Sequence, residues 1–216
     1  MKQYDNGMET RKQILQACQN LFYNKGYRET ALGDICREAH VNRGSVYYHF
    51  KDKENIRYEV LWEWTNRCVQ EAEKYCDQKS YVFLLGMFIL WHRVFCDTKL
   101  QKFMVEYYSD YPVYTPKGSI CQYYRICYTH MYESFLPLAQ VDPLALASVY
   151  GYFVGIARLI QEQSVSCDTV EMFHHCVTCG CKIWSIPDDS AQELWQTLKA
   201  YISNFPLDTT QKIPLY

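Results

Sequence analysis

Three groups of residues in this chain have types and spacings suited to chemistry. The run His174-His175-Cys176-Val177-Thr178-Cys179-Gly180-Cys181 contains a Cys-x-x-Cys pair. On a helix that spacing sets Cys176 and Cys179 on one face, where His175 or Cys181 completes a ligand set for a soft metal, or the thiols act as a redox pair. Eight tyrosines follow one another closely: Tyr107, Tyr108, Tyr111, Tyr114, Tyr123, Tyr124, Tyr128 and Tyr132. Tyr124, Tyr128 and Tyr132 recur at i+4 and share a helical face. Phenols packed into a dry core need partners for their hydroxyls. With Trp91, Phe95, Phe103 and Met104 they outline instead a pocket for a flat, mostly apolar molecule. The third group, Asn42-Arg43-Gly44-Ser45 with Tyr47-Tyr48-His49, offers a guanidinium, hydroxyls and an imidazole without any catalytic pairing. Such groups suit base edges and phosphates.

Other constellations are missing. No Ser/His/Asp spacing, phosphate-cradling Gly loop or pair of carboxylates on one helix face is found, so neither an enzyme nor a cofactor is expected. The 216 residues are 49% hydrophobic and 21% charged, enough for a real core and unlike a disordered tail. A net charge of −2 excludes a polybasic chain, and with only 9 Gly and 7 Pro a turn-rich barrel or sandwich is not expected. Eleven cysteines signal a disulfide scaffold only in a short secreted chain. The opening MKQYDNGMET lacks the apolar stretch of a secretion signal. A soluble, cytoplasmic protein with reduced cysteines as small buried hydrophobes is therefore expected. The longest apolar run, Tyr81 to Trp91, is shorter than the roughly 20 residues of a membrane span and predicts a buried helix. Residues 1–55 hold 9 Lys/Arg against 7 Asp/Glu (+2) and the remainder 13 against 17 (−4), which suits a nucleic-acid module on a body that avoids phosphate.

Helical punctuation positions these groups. Thr10-Arg11-Lys12-Gln13 has capping-box spacing and predicts a helix start, followed by an apolar stripe at Ile14, Cys18, Leu21 and Phe22. Gly26 predicts its end, with Tyr27 folding back. Thr30 is expected to cap a short second helix with Leu32, Ile35, Cys36 and Ala39 inward. After a break at His40-Val41, Asn42 caps a third helix through His49, where Val46 and Phe50 face inward. Asp52 caps a long fourth helix with Ile56, Val60, Leu61, Trp64 and Cys68 as its apolar side. Two short helices joined by a tight turn and braced by a longer one form a helix-turn-helix.

The run Thr10 to Ile56, with Phe22-x-x-x-Gly26-Tyr27, Thr30, Ile35-x-x-x-Ala39-x-Val41 and Gly44-Ser45-Val46-Tyr47-Tyr48-His49-Phe50-x-x-Lys53, resembles the DNA-binding domain of TetR-family transcriptional regulators. The resemblance covers about the first quarter of the chain; the rest is similar only in length and helical character. It implies an all-α fold: a helix-turn-helix domain over 1–55, then a helical ligand-sensing and dimerisation domain over 56–216. It also implies that the third helix enters the major groove and that a homodimer reads two half-sites of a palindromic operator. Arg43 is then the first choice for a base contact, Gly44 lets the backbone approach, and Asn42 and Ser45 reach base or phosphate. Tyr47 and Tyr48 stack or hydrogen-bond, one of them with a partly packed ring as the alternative. Thr30, His49 and Lys53 correspond to phosphate contacts. The chain departs from the family at His40, where Gly, tolerant of positive φ, is usual.

For the body, helices are predicted near 80–97, 98–110, 118–136, 143–163, 168–186 and 188–204, with a loop over 111–118. The expected pocket is lined by Trp91, Phe95, Phe103, Met104, Tyr107, Tyr124 and Tyr128. Glu106 can balance a cationic ligand, and Arg93, Arg125 or Arg158 an anionic one. Gly151-x-x-x-Gly155 and the apolar line Met172, Cys176, Cys179 and Ile183 resemble the family's four-helix dimer interface, placing Tyr152, Gly155, Ile156, Leu159, Met172, Cys176 and Cys179 there. The resemblance implies a repressor released from its operator when a small aromatic or apolar molecule binds. The alternatives are a metal or redox sensor at Cys176/Cys179 and a DNA-binding protein without an inducer.

Overall fold

The computed structural model describes residues 2–109 and 143–212, and every regular element among the described residues is helical. In chain order these are α1 (Lys2–Asn24), α2 (Leu32–Glu38), α3 (Arg43–His49), α4 (Lys53–Ala72), α5 (Lys79–Cys96), α6 (Thr98–Ser109), α7 (Pro143–Gln161), α8 (Thr169–Ile183), α9 (Asp188–Asn204) and a 3-10 turn at Leu207–Lys212. The loop expected over 111–118 and the helix over 118–136 lie outside the described residues. The chain is all-α, an amino-terminal helix-turn-helix domain followed by a helical domain.

The punctuation sets most helix limits. Gly26, at φ 98°, ends α1, and its N–H donates to the Phe22 carbonyl at 3.1 Å. Tyr27 folds back edge-on against Phe22 with centroids 5.3 Å apart. Asn42 and Asp52 cap α3 and α4 as expected, Asp52 Oδ1 accepting from the Asn55 N–H at 2.7 Å. The inward residues of α1 and α4, Ile14, Cys18, Phe22, Ile56, Val60, Leu61, Trp64 and Cys68, are fully buried.

Two expectations are corrected. Helix α1 starts at Lys2, not at the Thr10 box, because nothing in the preceding residues stops a helix and a capping box is a preference only. Thr30 does not cap α2. Its buried hydroxyl donates to the Gly26 carbonyl at 2.7 Å, and the N-cap is Ala31, whose N–H is taken by Asp34 Oδ2 at 2.9 Å.

Helix α5 carries the long apolar run. By length and composition it could cross a membrane, yet 72% of it is buried inside the fold, against α4, α6, α8, α9 and the 3-10 turn. Its closest approach is to α4. A Cβ on Gly86 would stand 2.6 Å from Val69 Cγ2 and 2.8 Å from Val69 Cα, so the two helices meet backbone to side chain. Gly86→Ala is expected to lower stability by about 1–3 kcal/mol through overpacking, despite the roughly 1 kcal/mol helix preference of Ala. Urea unfolding reads this, and an unchanged midpoint would show that the helices have room to part.

Candidate nucleic-acid interface and effector pocket

The third helix is held from inside and open outside. Val46 and Phe50 are buried in the same core as Ile35 and Ala39. On the far side Asn42, Arg43 and Gly44 are exposed, Tyr47 is 58% and Tyr48 84% accessible. Rings of that size left in water on a short helix are unusual for a free surface. Asn42 Oδ1 accepts from the Ser45 N–H at 2.8 Å and lies 3.3 Å from the Ser45 hydroxyl, so the cap orients both side chains. A Cβ at Gly44 would stand 3.1 Å from that same oxygen, a crowding that adds to the reason for glycine there. His49 is half-buried, edge-on to Tyr48 at 4.9 Å.

The turn before α3 has left-handed geometry. His40 sits at φ 53°, its N–H reaching the Arg37 carbonyl at 3.3 Å while the Val41 N–H reaches Cys36 at 3.0 Å. Both bonds make a Schellman motif, the arrangement glycine usually terminates. Histidine adopts it here, so the departure from the family leaves the turn intact at some strain.

Two expected phosphate contacts point inward. Thr30 is buried on the Gly26 carbonyl. Lys53 Nζ donates to the Tyr27 carbonyl at 2.5 Å and lies 4.1 Å above the Tyr27 ring, bracing the α1–α2 elbow. Asp34, unmarked in the sequence reading, holds the other side of that elbow. It accepts from Lys25 Nζ at 2.6 Å and the Ala31 N–H, with Arg37 beside it, and these bonds hold its carboxyl below the usual carboxylate range.

The elbow is also gripped by the body. Glu106 on α6 accepts the Arg28 N–H at 3.1 Å through Oε2, and Lys102 Nζ donates to the Lys25 carbonyl at 3.1 Å while pairing with Glu29 at 3.0 Å. Arg57 on α4 is fully buried, its guanidinium 4.3 Å from the Tyr27 centroid and 5.3 Å from that of Tyr107. Glu106 was the expected balance for a cationic ligand. Its carboxylate is committed to the Arg28 amide instead.

Of the expected pocket residues, Trp91, Phe103, Met104 and Tyr107 are fully buried and Phe95 is half-buried. Tyr124 and Tyr128, like Arg125, lie outside the described residues. Phe103 and Tyr107 share α6 with ring centroids 5.9 Å apart. Around them stand further aromatic rings, of which Trp64 and Phe153 were not expected at this site. Trp64 meets Phe103 at 4.7 Å, and Trp91 stacks on Tyr108 at 6.4 Å and on Phe153 at 5.3 Å. Their only sequence signal is apolar periodicity, which does not separate pocket from core.

On α7 Gly151 and Gly155 are exposed with nothing within 4 Å of an added Cβ, and Leu159 is 42% accessible beside half-buried Tyr152 and Ile156. Met172, expected on the same surface, is corrected: it is buried within the protomer. Cys176 and Cys179 are half-buried. Burial pushes the Cys176 thiol up to about 12, as it does Cys18 and Cys68, which keeps them protonated and unreactive. Cys181 is buried away from the pair, and no group of three metal-binding side chains occurs among the described residues. The metal and redox reading is not favoured.

Two substitutions test the turn and cap. His40→Gly is expected to raise stability by up to about 1 kcal/mol, the left-handed strain less the extra chain entropy of glycine. Asn42→Ala should lower it by about 1 kcal/mol through loss of the cap. Denaturant midpoints that move together, or not at all, contradict the two local bonding schemes.

Comparison with known proteins bears on the same region. Residues 14–60 match the family model described as bacterial regulatory proteins, tetR family. The HTH-type transcriptional regulator AcrR of Shigella flexneri is 39% identical over 72 residues, 33% of this chain and 33% of that one. The HTH-type transcriptional regulator QacR of Staphylococcus aureus is 29% identical over 108 residues, 48% of this chain and 56% of that one. The chain thus spans between a third and little more than half of the length of these curated relatives. A solved gamma-butyrolactone receptor, an ArpA-like protein, covers 93% of this chain and 99% of its own at 16% identity and a TM-score of 0.43, too distant to carry fold or ligand across. Over residues 14–60 the chain is thus similar to the amino-terminal, DNA-binding domain of TetR-family transcriptional regulators.

Proposed function

We propose that the chain is a transcriptional repressor that binds a palindromic operator as a homodimer and releases it when a small aromatic or apolar molecule enters the helical body. The observation that carries this is the outer face of α3, where Arg43, Tyr47 and Tyr48 stand in water on a helix anchored by Val46 and Phe50. That is the arrangement a recognition helix needs: a fixed inner face and a readable outer one. Asn42, Ser45 and His49 border the face, and Gly44 lets it approach the groove. Tyr152, Gly155, Ile156, Leu159, Cys176 and Cys179 form the surface that meets the second copy. The open glycines of α7 support this, since glycine inside a helix costs about 1 kcal/mol and close approach of a partner helix offsets it.

Release follows from the grip of α6 and α4 on the α1–α2 elbow. Phe103, Met104 and Tyr107 lie on the same helix as Lys102 and Glu106, so a molecule that displaces the aromatic side of α6 moves the anchor of the DNA-binding head. Ligand and operator then compete through a population shift whose coupling is a few kcal/mol at most. Such a protein acts in the cytoplasm, beside the chromosome, and catalyses no reaction.

Operator binding measured by fluorescence anisotropy against salt tests the reading. Affinity should fall steeply with salt through released counterions. Arg43→Ala should weaken specific binding by about 1–3 kcal/mol and relax discrimination at one base position. Salt-independent binding, or an Arg43→Ala protein that reads its operator as before, would sink the assignment of α3.

A further inference from the structure

The last turn of α5 carries two metal-seeking side chains that neither the DNA face nor the aromatic clusters use. His92 and Cys96 stand at i and i+4, on one face of the helix. His92 Nε2 and Cys96 Sγ are 3.9 Å apart, a weak hydrogen bond at most. For two donors sharing one ion the separation is close to what is needed. Bonds of about 2.3 Å to sulfur and about 2.0 Å to nitrogen, at a tetrahedral angle, set the donors about 3.5 Å apart. Cys96 is the only exposed thiol among the described residues, so a small turn of its side chain closes the difference. The imidazole is already oriented. Its Nδ1 lies 3.1 Å from the Thr169 hydroxyl in the first turn of α8, and its ring stacks on Phe88 at 6.0 Å. A ligating imidazole is ordinarily fixed by such a bond on its other nitrogen. Burial holds His92 below its ordinary range, which favours the neutral form that ligates. Burial, and then the charge of Asp97, raise the Cys96 thiol. That same charge, with the carbonyl end of α5, draws a cation to the spot. Asp97 is also where body meets head: its carboxylate accepts the Tyr23 hydroxyl of α1 at 2.8 Å and the Lys99 N–H of α6 at 2.9 Å.

We propose that His92 Nε2 and Cys96 Sγ chelate one thiolate- and imidazole-seeking metal ion, Zn2+ or Cu+, and that the bound ion acts on the DNA-binding head through Asp97. The pair is a different one from Cys176 and Cys179. Among the described residues no third His, Cys, Asp or Glu joins it, so water completes the coordination. On binding, the sulfur–metal bond replaces the S–H bond, the proton passes to water, and Nε2 gives its lone pair. Imidazole with thiolate selects zinc and copper over the oxygen-seeking Mg2+. The chelate itself stands apart from the reading of α3; its action on the head rests on that reading.

The test titrates the reduced, full-length protein with Co2+ and reads the thiolate-to-cobalt absorption band. One Co2+ per protomer should bind, and Zn2+ or Cu+ should displace it while Mg2+ does not. Whichever of the two displaces it at the lower concentration identifies the ion. Cys96→Ser, at an exposed position that leaves the core intact, should abolish the band. Thr169→Val, which frees the imidazole without touching either donor, should weaken binding about tenfold. Cys176→Ser should change nothing. No band at millimolar Co2+, a band that survives Cys96→Ser, or a band lost with Cys176→Ser overturns the site. Saturating metal should then shift operator affinity about fivefold in the wild type and leave the Cys96→Ser protein unmoved. An affinity that stays put in both overturns the action on the head and leaves the chelate standing. A protein that binds no operator, with or without metal, overturns the reading of α3 instead.

Discussion

The elbow between α1 and α2 is the joint on which the rest depends. Gly26 turns the chain with φ 98°, and a Cβ there would collide with Lys102 Cε at 2.8 Å. Around that bare position converge Thr30 from within, Lys53 and Arg57 from α4, and Lys102 and Glu106 from α6. Thr30, Lys53, Lys102 and Glu106 each satisfy a backbone group that a sharp turn leaves without a helical partner, and Arg57 stacks on the Tyr27 ring. The elbow is therefore held by side chains from the body, not by its own ladder. The head that carries α3 takes its orientation from the same helix that lines the aromatic site.

Arg57 shows why such a joint is sensitive. A guanidinium taken out of water is costly, and its return comes from the two tyrosine faces and the Glu106 carbonyl, which its Nη1 meets at 3.4 Å. Tyr27 belongs to the head and Tyr107 to the body. Moving either ring changes the environment of a single buried charge, so rigid-body shifts too small to break any helix still carry energy.

Much of this was legible in the sequence, and for identifiable reasons. Asn42, Asp52 and Gly26 set helix ends because capping is local, and Val46 with Phe50 set the inner face of α3 because helical spacing is local too. Thr30 was misread as a cap and the inward bond of Lys53 was not foreseen, because their partners, the Gly26 and Tyr27 carbonyls, become available only once the elbow folds. Met172 was read onto the surface because periodicity gives a face without saying what covers it. Glu106 was read as a ligand charge, since no local pattern reveals an amide 78 residues away. Trp64 and Phe153 were invisible as site residues, being ordinary core residues until the rings of α4, α5, α6 and α7 are brought together.

His40 is not the only residue to end a helix with left-handed backbone. Gln163 at φ 54° and Ser185 at φ 54° close α7 and α8 with the same pair of bonds, the second from Ser164 to Leu159 at 2.9 Å and from Ile186 to Cys181 at 2.9 Å. A chain with few glycines has thus placed side chains at three positions where glycine relaxes the backbone. The fold holds a reserve of stability at helix ends far apart in sequence, reachable without altering either ring cluster or the face of α3. Changes at such separated sites tend to add, so rigidity and recognition can drift independently as the sequence evolves.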